Sequence, residues 1–429
     1  MRSLGRRRFL SGAAGLAVAT GAAGCGAERG ALGAGSGDLT MWTWPDNDRV
    51  IDQFILPRFE KRYPDIRVTV QGFDPAGYPS KLLGALVSGT GPDIAMVEIT
   101  HISRFHGKPG FVDLGSEPFA AGRQADGYAK FAMSYVSDPE TGRVSLLPKN
   151  TAPGGLFYRR SALAEAGLPT DPHEVHEAFR TWEDFFEAGK DVGREGGRWL
   201  FDQPRTMVAA MQGQQGISYF DEHGNSLLEG DAIREAAELI PELKSAGLIA
   251  PAMSEQERGA AIGSGRIATF FSGNWFGGWL KGTYAADSSG DWGITFAPER
   301  DGSSAFNQGG DFIGILQTSR NQRAAWTFVR WLTQESASLR ELYEQDLYPA
   351  WTAATTRDWI NEPDPFYGGQ NVNAVFQEVS RQMRVPRTSE YDAIAKTALD
   401  AALDNVYSGA MTPRVALRRA TEELEWKMA

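Results

Sequence analysis

Cysteine is almost missing. Cys25 stands alone among 429 residues, which excludes an intrachain disulfide and any cysteine-rich metal site. Histidine is nearly as scarce, with five in all. His173 and His176, beside Glu174 and Glu177, have the best ligand spacing, but their polar flanks make the segment an exposed stretch. The chain is therefore expected to hold no metal and no cofactor. Beyond the first 25 residues there is no long uncharged apolar run, so nothing there has the length of a spanning helix. Catalytic signatures are absent too: there is no Gly-x-Ser-x-Gly elbow, no Walker A loop and no dinucleotide fingerprint. Pairs such as Asp221 with Glu222, or Glu255 with Glu257, belong to a population of 54 acidic residues and read as solvated surface rather than glycosidase acids. A net charge of −11 lacks the basic surface that phosphate backbones demand, which excludes nucleic acid as a partner. No enzyme activity is expected.

What is present begins with an address. Arg6, Arg7 and Arg8, then Phe9 and Leu10, precede a small-residue apolar stretch up to Ala23, the order of an export signal and similar to a twin-arginine leader. Residues 22–25 (AAGC) resemble a bacterial lipobox, with Ala22 where leucine is commoner. Residues 1–24 are thus expected to be a removable signal peptide, with Cys25 lipidated. Residues 25–38, rich in Gly, Ala and Ser, are expected to be a flexible tether. The protein is placed at the extracytoplasmic face of the membrane.

The body alternates strand and helix. Residues 39–42 and 66–70 read as strands, the second with period-2 alternation. Ile51, Phe54, Ile55 and Phe59 share a helical face, which Pro57 is expected to kink. Leu82, Leu83, Leu86 and Val87 form another stripe, closed by Gly89, with Tyr78, Lys81 and Arg323 read as helix-surface residues. The apolar run 94–97 has the pattern of a buried parallel strand. Strands are also expected over 154–158, 267–271 and 312–316, and helices over 161–166, from Trp182 behind a Thr181 cap, over 322–333 and over 412–428. An α/β chain of this length favours two lobes, with ligands at the carboxyl ends of strands.

Twelve tryptophans occur, several at strand ends or beside glycine rather than in helix stripes. Trp42 and Trp44 follow the first strand, Trp275 follows Asn274, and Trp351 follows Pro349-Ala350. Flat indole faces suit the C–H faces of sugars, and neighbouring carboxylates and amides suit the hydroxyl rim. Packing between lobes is the competing role for the same rings.

Five stretches taken in order resemble the family 1 extracellular solute-binding proteins of ABC transporters, the maltose-binding-protein-like class. They are residues 88–98 (SGTGPDIAMVE), 147–159 (LPKNTAPGGLFYR) continuing to 166–169 and 181–185, 265–275 (GRIATFFSGNW), 309–315 (GGDFIGI) with 324–332 (AAWTFVRWL), and 365–370 (PFYGGQ). The resemblance implies a type II periplasmic-binding-protein-like fold, with two α/β lobes joined by crossing strands. One lobe would span 39–148 and 306–345, the other 149–305 and 346–429, with crossings near 148–158 and 308–315. It also implies a monomer that captures a mono- or oligosaccharide in the inter-lobe cleft and delivers it to permease subunits. The ligand-binding residues expected on this basis are Trp42, Trp44, Asp46, Glu98, Asn150, Thr151, Asn274, Trp275, Gly310, Asp311 and Trp351. Two alternatives remain: a receptor of the same fold for a glycerol phosphate ester or peptide, and a secreted carbohydrate-active enzyme.

Overall fold

The computed structural model describes residues 35–105, 108–138, 141–194 and 197–429. The leader and Cys25 lie outside the described residues, and so do the export and lipidation expectations. Among the described residues the strands are β1 (Gly37–Thr43), β2 (Ile66–Gly72), β3 (Ile94–Glu98), β4 (Leu147–Arg159), β5 (Thr269–Gly273), β6 (Trp292–Thr295), β7 (Asn307–Ile315) and β8 (Tyr348–Pro349). Gly37 and Asp38 already pair with Ile66 and Arg67, so strand replaces the last two residues of the expected tether.

The sheet runs β2-β1-β3-β7-β4-β5, with β6 and β8 also paired to β4. β1 is parallel to both β2 and β3, whereas β3 is antiparallel to β7. The buried run that reads as parallel is therefore parallel on one edge only. β4 carries the connection between halves. Its start pairs with β7 and β8, and its end, from Gly154, pairs with β5 and β6. Register shifts flank Asn150 and Thr151 on this strand, next to Pro148 and Pro153, which have no N–H to give a ladder. In β7, Gly309 and Gly310 have φ of 131° and 132°. A side chain at 310 would be strained there, and its Cβ would lie 3.2 Å from the Asn150 carbonyl oxygen.

Two lobes follow from where the apolar residues go. One core collects Leu39 to Leu147 and returns for Phe312 to Ala354. In the other lobe the β4 alternation splits the packing. Leu156 and Tyr158 face one core with Ala402 and Leu424, while Phe157 faces another with Phe276 and Phe376, as a period of two requires. Phe306 packs with the second lobe, and Ala350 and Ala354 pack with the first.

Local signals explain most elements. Ala325, Phe328, Val329 and Leu332 of the helix Gln322–Gln334 are fully buried, each larger side chain contributing roughly 1.5–3 kcal/mol. Thr181 and Asp184 cap the helix Trp182–Arg194 reciprocally, at 2.8–3.1 Å. At Pro57 the helical stretch widens into a π turn over Ile51–Ile55, which accommodates the missing N–H where a kink is expected from sequence. In the helix Tyr78–Ser88, Val87 is exposed and Ala85 is buried in its place. Tyr78 is no surface residue. It is buried, and its hydroxyl donates to the Met96 carbonyl at 2.8 Å.

Candidate functional site

β3 ends at Glu98, directly opposite Asp311 of β7, so two carboxylates share one edge of the first lobe. They are treated differently. Asp311 lies 3.2 Å from the ammonium of Lys149, a residue with no exposed surface. Lys149 also donates to the Asn47 side-chain oxygen, and the Asn47 amide approaches Asp311 at 3.5 Å. Burial pushes the Lys149 pKa down, and Asp311 opposes that shift. Glu98 is half-buried and turns its oxygens to Thr100, accepting from the main-chain N–H at 2.9 Å and from the hydroxyl at 3.1 Å. Burial lifts its carboxyl to about 7, helped by Asp311 and opposed by Thr100 and Lys396.

Beyond Glu98 a cavity of about 320 Å³ opens between the lobes. The first lobe supplies Glu98, Ile99, Thr100 and Tyr135. The second supplies Gln212, Tyr219, Asp392 and Lys396, and Gln308 comes from the crossing. Burial raises the Tyr135 and Tyr219 hydroxyls well above the usual range and Asp392 to about 6. One Asp392 oxygen accepts from the Ser389 N–H at 2.8 Å, and the other is buried without a partner among the described residues. Across the mouth, Lys108 of the first lobe meets Glu390 of the second at 3.0 Å.

Two further cavities adjoin. A small one of about 110 Å³ lies behind Glu98, walled by Trp44, Tyr78, Met96 and His101. A larger one of about 380 Å³ continues into the second lobe, lined by Asp202, Arg258, Trp275 and Trp279. The Trp275 indole N–H donates to the Gln308 carbonyl at 2.8 Å, which fixes the ring.

The expected site residues therefore separate. Trp44 lines the small cavity, Trp275 the second-lobe one, and Glu98 both the small cavity and the cleft, while Gln212, Tyr219, Gln308 and Lys396 are shared by the cleft and the second-lobe cavity. Asn150, Thr151, Gly310 and Asp311 are all buried in the β4–β7 crossing, and the Asn150 side-chain oxygen has no partner there among the described residues. Asn274 donates to the Asp346 carbonyl, which makes it a strut between segments. Asp46 is exposed at φ 73°, where a helix begins, and its side chain makes no capping bond. Trp42 bonds Gln71 at 3.0 Å and packs against Phe73 and the Lys81 ammonium, outside these cavities. Trp351 is also outside them, edge-on to Tyr128 at 4.8 Å.

Tyr135, Tyr219, Asp392, Lys396, Asp202, Arg258 and Trp279 were not singled out from the sequence. Trp279 had a signal, since it closes the glycine-flanked run that begins at Ser272. The others sit on helices or loops with ordinary surface composition. Among the described residues no three His, Cys, Asp or Glu side chains converge as a metal site. His176 instead packs edge-on to Phe296 at 5.2 Å.

Residues 55–365 match the family described as bacterial extracellular solute-binding protein. A lactose-binding protein of Rhizobium radiobacter is 27% identical over 353 residues, covering 79% of this chain and 80% of that one. An arabinooligosaccharide-binding protein of Halalkalibacterium halodurans is 23% identical over 430 aligned positions, covering 92% and 90%. Among solved structures, an ABC transporter associated binding protein from B. animalis subsp. lactis Bl-04, in complex with beta-1,6-galactobiose, superposes with a TM-score of 0.75. It is 20% identical and covers 91% of this chain and 97% of that one. The shared fold is the two-lobed type II arrangement, each lobe a sheet flanked by helices and joined by crossing strands.

Proposed function

The chain belongs to the bacterial extracellular solute-binding protein family, and from that premise we propose that it captures a carbohydrate between its lobes and delivers it to the permease of an ABC importer. The observation that carries this reading is the cavity with a wall from each lobe, where Glu98 and Thr100 face Tyr219, Asp392 and Lys396. Carboxylates accept sugar hydroxyls through charge-assisted bonds about twice as strong as neutral ones, and the tyrosine rings supply flat apolar area. The saccharides named for the relatives point the same way.

A ligand in this cavity touches both lobes only when they are closed, so it favours closure by its excess affinity for that state. In this reading the lobes run over 39–148 with 306–345 and over 149–305 with 346–429, apart from Phe306, which packs with the second, and Ala350 and Ala354, which pack with the first, and they hinge at β4 and β7. Glu98, Trp44 and Trp275 keep their expected roles at the ligand, and the crossing residues hold the hinge. The working protein is a lipid-anchored monomer, attached through Cys25 at the extracytoplasmic face, and it binds without turning its ligand over.

A thermal-shift screen against lactose, beta-1,6-galactobiose, arabinose oligomers and their monosaccharides tests the reading, because a ligand that binds only the folded state raises its melting temperature. Trp275→Ala is expected to weaken the best saccharide at least about tenfold, a loss of roughly 1.4 kcal/mol, while the fold survives. A screen with no shift would overturn the carbohydrate reading.

One observation favours a second reading. Arg384 and Arg387 line the cleft and bond only main-chain carbonyls, each at 3.4 Å, among the described residues. Guanidinium groups so placed suit an anionic solute such as a glycerol phosphate ester. Including glycerol phosphates in the same screen separates the two readings.

A further inference from the structure

The small cavity behind Glu98 differs in kind from the cleft. β1 is parallel to β2 and to β3, so their carboxyl ends share one edge of the first lobe, where open α/β sheets receive ligands. The cavity lies at that edge, between Trp44 after β1, Pro75 in the loop after β2, and Glu98 at the end of β3. Tyr78 and Leu82 of the helix Tyr78–Ser88, with Met96 and Phe105, form its walls. Glu98 lines both this cavity and the cleft, so the two adjoin at that side chain.

Its chemistry is the opposite of what a sugar ring needs. Leu82 and Met96 have no exposed surface. The Tyr78 hydroxyl lies 2.8 Å from the Met96 carbonyl and 3.0 Å from that of Trp42, so it has little left for a solute hydroxyl. Trp44 leans on the same ring, with centroids 6.0 Å apart at 57°. Glu98 gives its oxygens to Thr100 at 2.9 and 3.1 Å. Burial biases both Glu98 and His101 toward their uncharged forms. A hydroxyl-rich ring would lose its water here and find few partners, whereas apolar carbon gains from the transfer. The volume is about 110 Å³. Small-molecule sites begin at roughly 300 Å³, and an apolar cavity of about 150 Å³ takes one benzene. The space therefore suits one part of a solute, a branched group of about three or four carbons. An alkyl group is carried by a sugar most simply as an aglycone, on the anomeric oxygen.

Resting on the carbohydrate reading, we propose that this cavity is an aglycone site. The solute is a glycoside whose sugar lies beside Glu98 and Thr100 and whose short uncharged alkyl group fills the space between Trp44, Tyr78, Leu82 and Met96. A free sugar leaves that space unfilled.

Calorimetry on the wild-type chain tests this with galactose, lactose and arabinose, each against its methyl, isopropyl and carboxymethyl glycosides. The isopropyl glycoside of the best sugar is expected to bind about tenfold tighter than the methyl glycoside, since each further buried carbon adds roughly fourfold. The carboxymethyl glycoside is expected to bind no tighter than the methyl one. Leu82→Phe puts bulk into the cavity and is expected to erase the isopropyl gain while the free sugar still binds. Pro75→Trp, in an exposed loop at the mouth, is a second variant with the same expected result should the buried one fail to fold. Equal affinity for methyl and isopropyl glycosides, a carboxymethyl glycoside as tight as the isopropyl one, or a gain that survives both variants overturns the aglycone site and leaves a carbohydrate receptor in place. No binding by any of these sugars or glycosides overturns the carbohydrate reading, and the proposal with it.

Discussion

The two lobes use the polar side chains they bring toward the gap in opposite ways. On the first lobe and at the crossing, polar side chains near the strand ends are largely spent on the protein itself: Lys149 on Asp311 and Asn47, and Tyr78 on the Met96 carbonyl, with Glu98 bonded to Thr100 and still lining the cleft. On the second lobe, Asp202, Arg258, Trp275 and Trp279 are held by one another or by the backbone and still face open space. A hinge between lobes needs satisfied, immobile polar groups, because an unpaired buried one costs about 1–3 kcal/mol. A ligand wall needs groups fixed in place with bonding capacity left over. The same residue types thus do different work according to which element brings them to the gap.

Cutting one bond in each region sharpens that contrast. Lys149→Met leaves Asp311 and Asn47 without their cation in a fully buried setting and is expected to cost about 3–5 kcal/mol in urea denaturation. Arg258→Met removes the partner of Asp202 beside a water-accessible cavity, and the expected loss is smaller, about 1–3 kcal/mol. Equal losses would mean that the second-lobe pair is as much a structural strut as the crossing network, and the contrast would fall.

A third test concerns pH. Burial raises the Glu98 carboxyl from 4.5 to about 7, so the folded state holds this proton more tightly than the unfolded chain. Below about 4.5 both states carry it and the stabilising term is complete. As the pH rises through about 7 that term is lost, because the buried group must ionise. Relative to Glu98→Gln, which has no proton to lose, the wild type is expected to fall in melting temperature across this interval. A difference that stays flat with pH would show that Glu98 is as well solvated as an ordinary surface carboxylate.

Much of the fold was legible. A short stretch at 39–42 pointed to β1, the period-2 run to β2, the uncharged run to β3, and the stripe through Ala325, Phe328, Val329 and Leu332 to its helix. β4 and β7 as crossings came from resemblance rather than pattern, since no periodicity reports that one strand serves two sheets. The site was less legible. The crossings implied by the resemblance pointed to Asn150, Thr151 and Asp311, yet Lys149, next to Asn150 in sequence, is the buried cation that occupies Asp311. Lys396 and Asp400 bond at 2.6 Å as an ordinary i, i+4 helix pair, which in sequence reads as solvated surface. Only the path of that helix past the cleft brings Lys396 into the site. Trp351 shows the opposite failure. Its Pro-flanked setting suggests a ligand, but Gly127 leaves room for the indole to pack against Tyr128.

Hydrogen–deuterium exchange with and without the tightest-binding saccharide tests the account most directly, because protection reports which backbone segments a bound ligand holds shut. The account predicts slowed exchange on both sides of the gap, over residues 98–104 of the first lobe and over 272–279 and 392–396 of the second. Protection confined to one lobe, or saturating binding with neither side protected, would contradict it.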